Sequence, residues 1–250
     1  KVATFSDDVT STTIVVNGTG NAKFVGDVTA TDINLTGGGV VTLNNIAAKT
    51  VTANITEATA GTTALVVADT ADGAHAIATV SGDVTVDTIT VGATAKAGLV
   101  KFTGSTAGAA AVTGGDAAAE DSNMEISSNT HTGTVALEED GDGDATFTLS
   151  GTTSEIVGAI TTTGDGEGQV VAAGTTNSTF DAIGTAALKV QTATVNANSV
   201  ATFGGAVAAN TVTVTGTATF QANDNESETI VFADGASVIL DDTITNGQVV

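Results

Sequence analysis

The segment Ala201–Phe220, ATFGGAVAANTVTVTGTATF, decides the fold, because weaker copies of it recur along the whole chain. Within it, residues 211–215 alternate threonine with valine, which predicts a half-buried strand that points both valines inward. Val207 has the opposite parity from these valines, so a corner is expected at 208–210. Gly216 marks a further corner, since glycine adopts backbone angles that other residues avoid. The unit is therefore a short strand, a corner and a second short strand.

The same apolar pattern, at relative positions 0, 5 and 7, recurs elsewhere in the chain. The copies are Val28, Ile33 and Leu35; Val84, Ile89 and Val91; Ile46, Val51 and Ala53; and Val190, Val195 and Ala197. Neighbouring copies, like Phe203 and Phe220, start 17 or 18 residues apart. Repetition at a short period predicts an all-β fold, a parallel β-solenoid (β-helix) with coils of about 17–18 residues. Roughly 13 or 14 such coils would form a stack roughly 65 Å long.

Tandem immunoglobulin-like β-sandwiches are the alternative, because they also give short strands at regular spacing. The chain has no Trp, Tyr or Pro to build sandwich cores and loops, which favours the solenoid. No Pro- or Ser-rich linker divides residues 1–250, so we expect a single repetitive domain. The pattern weakens in the middle, where 104–130 is rich in Ala, Gly, Asp and Glu and predicts an irregular insertion.

The charge balance is strongly acidic, with 28 Asp and Glu against six Lys and Arg and a net charge of −22. This excludes nucleic acid as a natural partner and argues against anionic membrane surfaces, since both are bound by cationic side chains. Copies of the chain repel one another, so self-assembly would require neutralisation of carboxylates, for instance by divalent cations. A high-salt habitat is the other explanation. No apolar run of about 20 residues predicts a membrane-spanning helix.

Two features bear on where the protein works. The absence of Cys favours an extracellular location, although a bias towards Thr, Ala, Gly and Val explains it as well. The sequence starts at Lys1 without a visible signal peptide, which we interpret as a processed product or a segment of a longer chain.

The segment 138–144, EEDGDGD, resembles the first half of a calcium loop, in which Asp140, Asp142 and Asp144 would direct carboxylate oxygens at one cation. The resemblance is incomplete, because the sixth and twelfth positions hold Ala and Gly. Asp165 and Glu167 form a second acidic cluster. We therefore predict these five residues as candidate Ca²⁺ ligands, with solvated acidic turns as the alternative.

No constellation of residues predicts catalysis. The two histidines, His75 and His131, have no His or Cys at metal-ligand spacing, and no G-x-S-x-G motif is present. A pair of carboxylates on a coil could act on polysaccharides, but the stacking and cationic residues that bind sugars are missing. We therefore expect that the chain is not an enzyme.

The threonines at alternate positions from Thr211 to Thr219 could belong to a flat array of the kind that ice-binding solenoids present. Such an array needs similar rows on several coils. With coils of 17–18 residues, the matching positions hold Asp, Asn, Lys or Ala, so an ordinary outward strand face is expected.

Segments 24–38, FVGDVTATDINLTGG, and 203–220, FGGAVAANTVTVTGTATF, resemble repeats from the passenger regions of bacterial autotransporters. The acidic, Cys-free, Thr-, Ala-, Gly- and Val-rich composition is also similar to that of S-layer proteins. The resemblance implies export, display at the cell surface and, often, calcium-dependent self-assembly. It assigns no role to any residue.

The first functional hypothesis is a secreted structural protein that self-assembles into an extracellular layer or filament, assisted by cations. Another region could supply a cell-surface glycan or lipid anchor. The alternative is a binding module, an adhesin or autotransporter passenger stalk. A polysaccharide-active β-helix enzyme is the third hypothesis.

Overall fold

The computed structural model describes residues 1–44, 47–59, 61–68, 75–93, 96–221, 227, 229–240 and 248–249. This part of the chain forms strands and no helix. The strands are β1 Val2–Phe5, β2 Val9–Thr10, β3 Thr13–Asn17, β4 Asn21–Phe24, β5 Val28–Thr36, β6 Val40–Leu43, β7 Lys49–Thr59, β8 Ala64–Val67, β9 His75–Val80, β10 Val84–Val91, β11 Ala97–Phe102, β12 Thr106–Gly114, β13 Ser122–Ser127, β14 Thr130–Thr132, β15 Val135–Glu139, β16 Ala145–Ser150, β17 Thr153–Val157, β18 Ile160–Thr162, β19 Glu167–Ala172, β20 Asn177–Phe180, β21 Val190–Val195, β22 Val200–Phe203, β23 Ala209–Val214, β24 Thr217–Phe220, β25 Thr229–Phe232, β26 Ser237–Leu240 and β27 Gln248–Val249.

These strands pair in parallel, each with the strands one turn before and one turn after it. Ala3 of β1, for example, lies beside Ala22 of β4, which lies beside Val41 of β6. The chain therefore winds as a parallel β-solenoid of about ten turns, and the predicted all-β fold class is confirmed. Immunoglobulin-like sandwiches are excluded as the fold of this part, because their strands pair antiparallel.

The solenoid has three faces, each a column of stacked parallel strands. Face 1 contains β1, β4, β6, β8, residues 88–91, residues 109–114, β15 and β18, and continues through bridges at Ile183 and Val207. Face 2 contains β2, residues 28–29, the start of β7, β9, β11, β13, β16, β19, β21, β23, β25 and β27. Face 3 contains β3, residues 32–36, the end of β7, residues 84–85, residues 106–107, β14, β17, β20, β22, β24 and β26.

One turn takes about 23 residues, so the predicted coil length of 17–18 residues is wrong. The short step holds only locally, where Phe203 lies beside Phe220. Val28 pairs with Val51, 23 positions later, rather than with a residue 18 positions on. Ile46, the predicted start of that copy, lies outside the described residues. About ten turns at about 4.8 Å each give a stack of about 48 Å, shorter than the sequence predicts.

The error has a physical cause, because the 0, 5, 7 pattern marks a corner rather than a whole coil. The copy that begins at Val28 turns from face 2 to face 3. The copy at Val84 turns from face 3 to face 1, and the copy at Val207 turns from face 1 to face 2. Any of the three corners of a turn can carry the pattern, so the distance between copies does not measure the turn.

The core lies inside the coil and is built from the inward side chains of all three faces. Val28, Ile33 and Leu35 are buried, as predicted, as are the corresponding residues of the Val84 and Val207 copies. Ala197 is an exception, since it is exposed in the turn after β21. Phe203 stacks between Phe180 and Phe220, with ring centroids 5.4 and 4.8 Å apart. Burial of each such large apolar side chain stabilises the fold by about 1.5–3 kcal/mol.

A column of glycines forms the corner between face 3 and face 1. Gly108, Gly133 and Gly158 follow one another on successive turns, with φ angles of 133°, 142° and 142°. A Cβ atom on Gly133 would lie 2.2 Å from the carbonyl oxygen of Gly108, and one on Gly158 would lie 2.3 Å from that of Gly133. The backbones at this corner therefore approach too closely for a side chain.

Much of the segment 104–130 belongs to the stack. Its strand β12 pairs with β10 and β15, and its strand β13 pairs with β11 and β16. The turn at 115–121 connects these two strands.

Candidate functional site

Acidic side chains are concentrated at the corners, where many accept hydrogen bonds from backbone N–H groups of a neighbouring turn. Asp27 Oδ1 accepts from the Thr50 N–H at 2.7 Å, and Asp83 Oδ1 accepts from the Ser105 N–H at 2.8 Å. Asp121 Oδ1 accepts from the backbone N–H of Asp144 at 3.0 Å. In each pair the carboxylate lies on one turn and the donor on the next. These aspartates satisfy amide donors at positions where the ladder of strand hydrogen bonds is interrupted.

At the corner between face 3 and face 1 the direction is reversed. Asp87 Oδ2 accepts from the N–H of Thr63 at 2.7 Å, and Asp181 Oδ2 accepts from the N–H of Gly158 at 2.9 Å. Here the donor lies on the preceding turn. Successive turns are thus joined by side-chain clasps that point both ways along the stack.

The predicted calcium ligands of 140–144 lie in the turn between β15 and β16, which stacks on the turn at 115–121. Backbone hydrogen bonds from Asp140 N to Gly114 O and from Gly143 N to Gly115 O, at 3.2 and 3.1 Å, hold the two turns together. Asp140 and Asp142 are exposed, whereas Asp144 is half-buried. Asp144 Oδ2 accepts a hydrogen bond from Gln169 Nε2 at 2.7 Å. The turn therefore presents two of its three aspartates to solvent.

The second predicted cluster lies one turn further along the stack, between β18 and β19. Asp165 is exposed, and its Oδ1 accepts from the backbone N–H of Lys189 at 3.0 Å. Glu167 folds back on its own turn, where Oε2 accepts from Gly164 N at 2.9 Å and from Thr163 Oγ1 at 3.1 Å. Both carboxylates therefore already stabilise the backbone.

Glu139 links the two clusters, and the sequence analysis did not select it as a ligand. Its Oε1 accepts from the N–H of Gly168 at 2.9 Å. Partial burial raises the pKa of Glu139 above its usual range, and the nearby charges of Asp144 and Glu167 raise it further. The hydrogen bond from Gly168 acts in the opposite direction. Glu139, Asp144 and Glu167 thus form one electrostatically coupled acidic corner. The local signal for Glu139 was its place in the acidic run itself.

Within the ranges that the structure describes, no group of three or more His, Asp or Glu side chains is arranged to hold a metal ion. The five predicted ligands are divided between two stacked turns, and three of them are engaged in hydrogen bonds to the protein. Calcium binding at this corner stays a prediction.

His131 lies inside the coil on β14. It is fully buried, with Nδ1 2.8 Å from Thr106 Oγ1 and the Phe147 ring centroid 6.3 Å away. Its Nε2 has no hydrogen-bond partner among the described residues. Burial lowers the pKa of His131 to about 4, against a smaller opposing effect of the Thr134 backbone. A neutral imidazole enclosed in the core has no access to a substrate. The side chain of His75 lies outside the described part.

Outward threonines form two columns on face 2, and we call this surface the threonine face. It comprises ten positions on five consecutive turns: Thr146 and Thr148, Gln169 and Val171, Thr192 and Thr194, Thr211 and Thr213, and Thr229 and Val231. Seven of the ten are threonine and none is charged. The expectation of unmatched rows is wrong here, because it compared positions at the spacing of the shorter coil.

The hydroxyls at the centre of this face are not used within the chain. Thr192, Thr194, Thr211 and Thr213 are half-buried on their strands and make no side-chain hydrogen bond to any residue that the structure describes. Elsewhere on the surface, in contrast, outward threonines donate to asparagines of the preceding turn, as Thr56 does to Asn34 at 3.1 Å. The threonine face therefore presents free donors and acceptors in a regular pattern.

No protein family, curated protein or solved structure matches this chain. In the ranges covered by the structure, no helix has the length and hydrophobicity required to cross a membrane.

Proposed function

We propose that this chain is a structural protein of the cell surface that associates with copies of itself into an extracellular layer or filament. The observation that carries the proposal is the distribution of polar groups in the described part of the chain. They repeat in columns along the stack, as on the threonine face and at the acidic corners, rather than converge on one point. Repeated groups suit repeated contacts with identical copies, whereas catalysis requires a few converging groups.

The charge distribution supports a role for cations in this assembly. The chain has a net charge of −22, and the described residues contain two ion pairs, Lys49–Asp27 at 3.9 Å and Lys101–Glu125 at 2.7 Å. Most corner carboxylates therefore have no cationic side chain beside them, and copies repel when corners approach. Ca²⁺ bound between the exposed Asp140 and Asp142 of one copy and the acidic corner of another would remove that repulsion.

The test is electron microscopy and sedimentation of the purified chain in millimolar Ca²⁺ and again after EDTA. We expect ordered sheets or filaments that dissolve on chelation. The variant Asp140→Asn/Asp142→Asn should need more Ca²⁺ to assemble. The control Asp7→Asn/Asp234→Asn removes the same number of exposed charges elsewhere and should behave like the wild type. Isolated rods under all conditions would refute self-assembly, and equal behaviour of the two variants would refute a specific role of the 140–144 turn.

An adhesin or passenger stalk is the second candidate. Its support is the stack itself, because parallel strands and clasps between consecutive turns make a stiff spacer about 48 Å long. In that role the chain would remain a single rod and hold another region away from the surface, with a glycan or lipid anchor elsewhere. The same microscopy distinguishes this role, since a stalk gives separate rods with and without Ca²⁺.

A further inference from the structure

The threonine face differs from the corners in charge. Its ten outward positions carry no ionisable group, whereas the corners on either side of face 2 carry carboxylates such as Asp144, Glu167 and Asp234. Two like charges 4 Å apart repel by about 4 kcal/mol near a protein surface. Two copies of this chain therefore approach most easily where such charges are missing, and the threonine face is a wide area of this kind.

The periodicity of the face selects the partner. Threonines of one strand are two residues apart, about 6.7 Å, and neighbouring turns are about 4.8 Å apart. A second copy has the same spacing by construction, so a contact made at one turn recurs in the same register at the next. A partner without this repeat could match only one or two turns. The free hydroxyls of Thr192, Thr194, Thr211 and Thr213 can then pair across the contact while their methyl groups pack together.

We infer that a second copy of this chain packs on the threonine face, with the two faces stacked sheet on sheet. This inference rests on the proposed self-assembly and names the surface that mediates it. Face 2 continues in register from β25 back to β9, over eight strands and about 34 Å. At a width of about 15 Å, each copy contributes on the order of 500 Å², which is near the lower limit for a specific interface. A single pair is therefore weak, and a layer or filament gains strength by repeating the contact.

The experiment compares two double variants of the full chain by sedimentation equilibrium under the conditions that assemble the wild type. Thr211→Glu/Thr213→Glu places charges on the threonine face, so its dissociation constant should rise at least about tenfold. Thr217→Glu/Thr219→Glu is the matched control, with the same substitutions at the same spacing on face 3 of the adjoining strand. Circular dichroism establishes that both variants keep the strand content of the wild type.

A second measurement needs no added charge. The chain has no Cys, so Thr213→Cys and Thr219→Cys each introduce a unique thiol. A short bismaleimide should join copies of Thr213→Cys into dimers and leave Thr219→Cys largely monomeric.

The outcomes separate the inference from the proposed function. If the wild type assembles and both double variants assemble equally well, or both fail equally, the threonine face is not the specific contact, although self-assembly stands. If the wild type is monomeric in every condition, both ideas are overturned. A monomer that adsorbs to growing ice crystals would assign the face to an ordered water lattice instead.

Discussion

The buried imidazole of His131 makes a quantitative prediction about stability and pH. Its pKa is about 4 in the folded chain, against 6.5 for an unperturbed histidine. Between pH 6.5 and pH 4 the unfolded chain therefore binds a proton that the folded chain does not. The contribution to stability is fully present above pH 6.5 and is lost as the pH falls towards 4. A shift of about 2.5 units corresponds to about 3 kcal/mol in the free energy of unfolding.

The assay is urea unfolding of the wild type and of His131→Gln at a series of pH values from 7.5 to about 4. Glutamine keeps a polar partner for Thr106 but does not titrate. The carboxylates are common to both proteins, so the difference between their unfolding free energies isolates the histidine. We expect the wild type to lose about 3 kcal/mol more than the variant over this range. A difference that stays constant with pH would refute the reasoning that the imidazole is enclosed in its neutral form.

Three further substitutions test the corners and the core. Gly133→Ala should reduce the free energy of unfolding by on the order of 3 kcal/mol, because the methyl group would collide with a backbone carbonyl, whereas Gly18→Ala meets no atom within 4 Å and should cost less; thermal unfolding compares the two. Asp83→Ala leaves the N–H of Ser105 without its carboxylate and should cost about 1 kcal/mol, together with faster hydrogen exchange at that amide; unchanged exchange would contradict the clasp. Phe203→Ala removes a ring that lies between two others and should cost about 3–5 kcal/mol in chemical unfolding, and a cost below about 1 kcal/mol would mean that the ring column does not support the core.

Inward-facing residues were predictable from the sequence because their spacing follows directly from strand geometry. Val212 and Val214 alternate with outward threonines, and the corner before them is needed to bring Val207 inside. The turn length was not predictable in the same way. A three-sided coil has three similar corners, and a local pattern of eight residues does not tell which corner it occupies. Only the pairing of Val28 with Val51 fixes the step, and pairing is a property of the stack.

The candidate site was predictable in position but not in arrangement. The acidic run at 140–144 does form a turn with two exposed aspartates, as its glycines indicate. The sequence could not reveal that Asp165 caps an amide 24 residues further along, because that contact depends on the length of the intervening turn. The threonine face was missed for the same reason, since Thr192 and Thr211 align only in the register that the folded chain adopts.

The aspartate clasps have a consequence for how the stack comes apart. Asp83 holds an amide of the following turn, whereas Asp87 and Asp181 hold amides of the preceding one. A turn that begins to peel away therefore breaks a clasp whether the opening travels up or down the axis. Unzipping should meet similar resistance in both directions, and a pulling force along the axis would be shared among neighbouring turns instead of concentrating on one. For a filament or a layer under shear, that sharing would let the rod yield slightly at many corners before any single turn is lost.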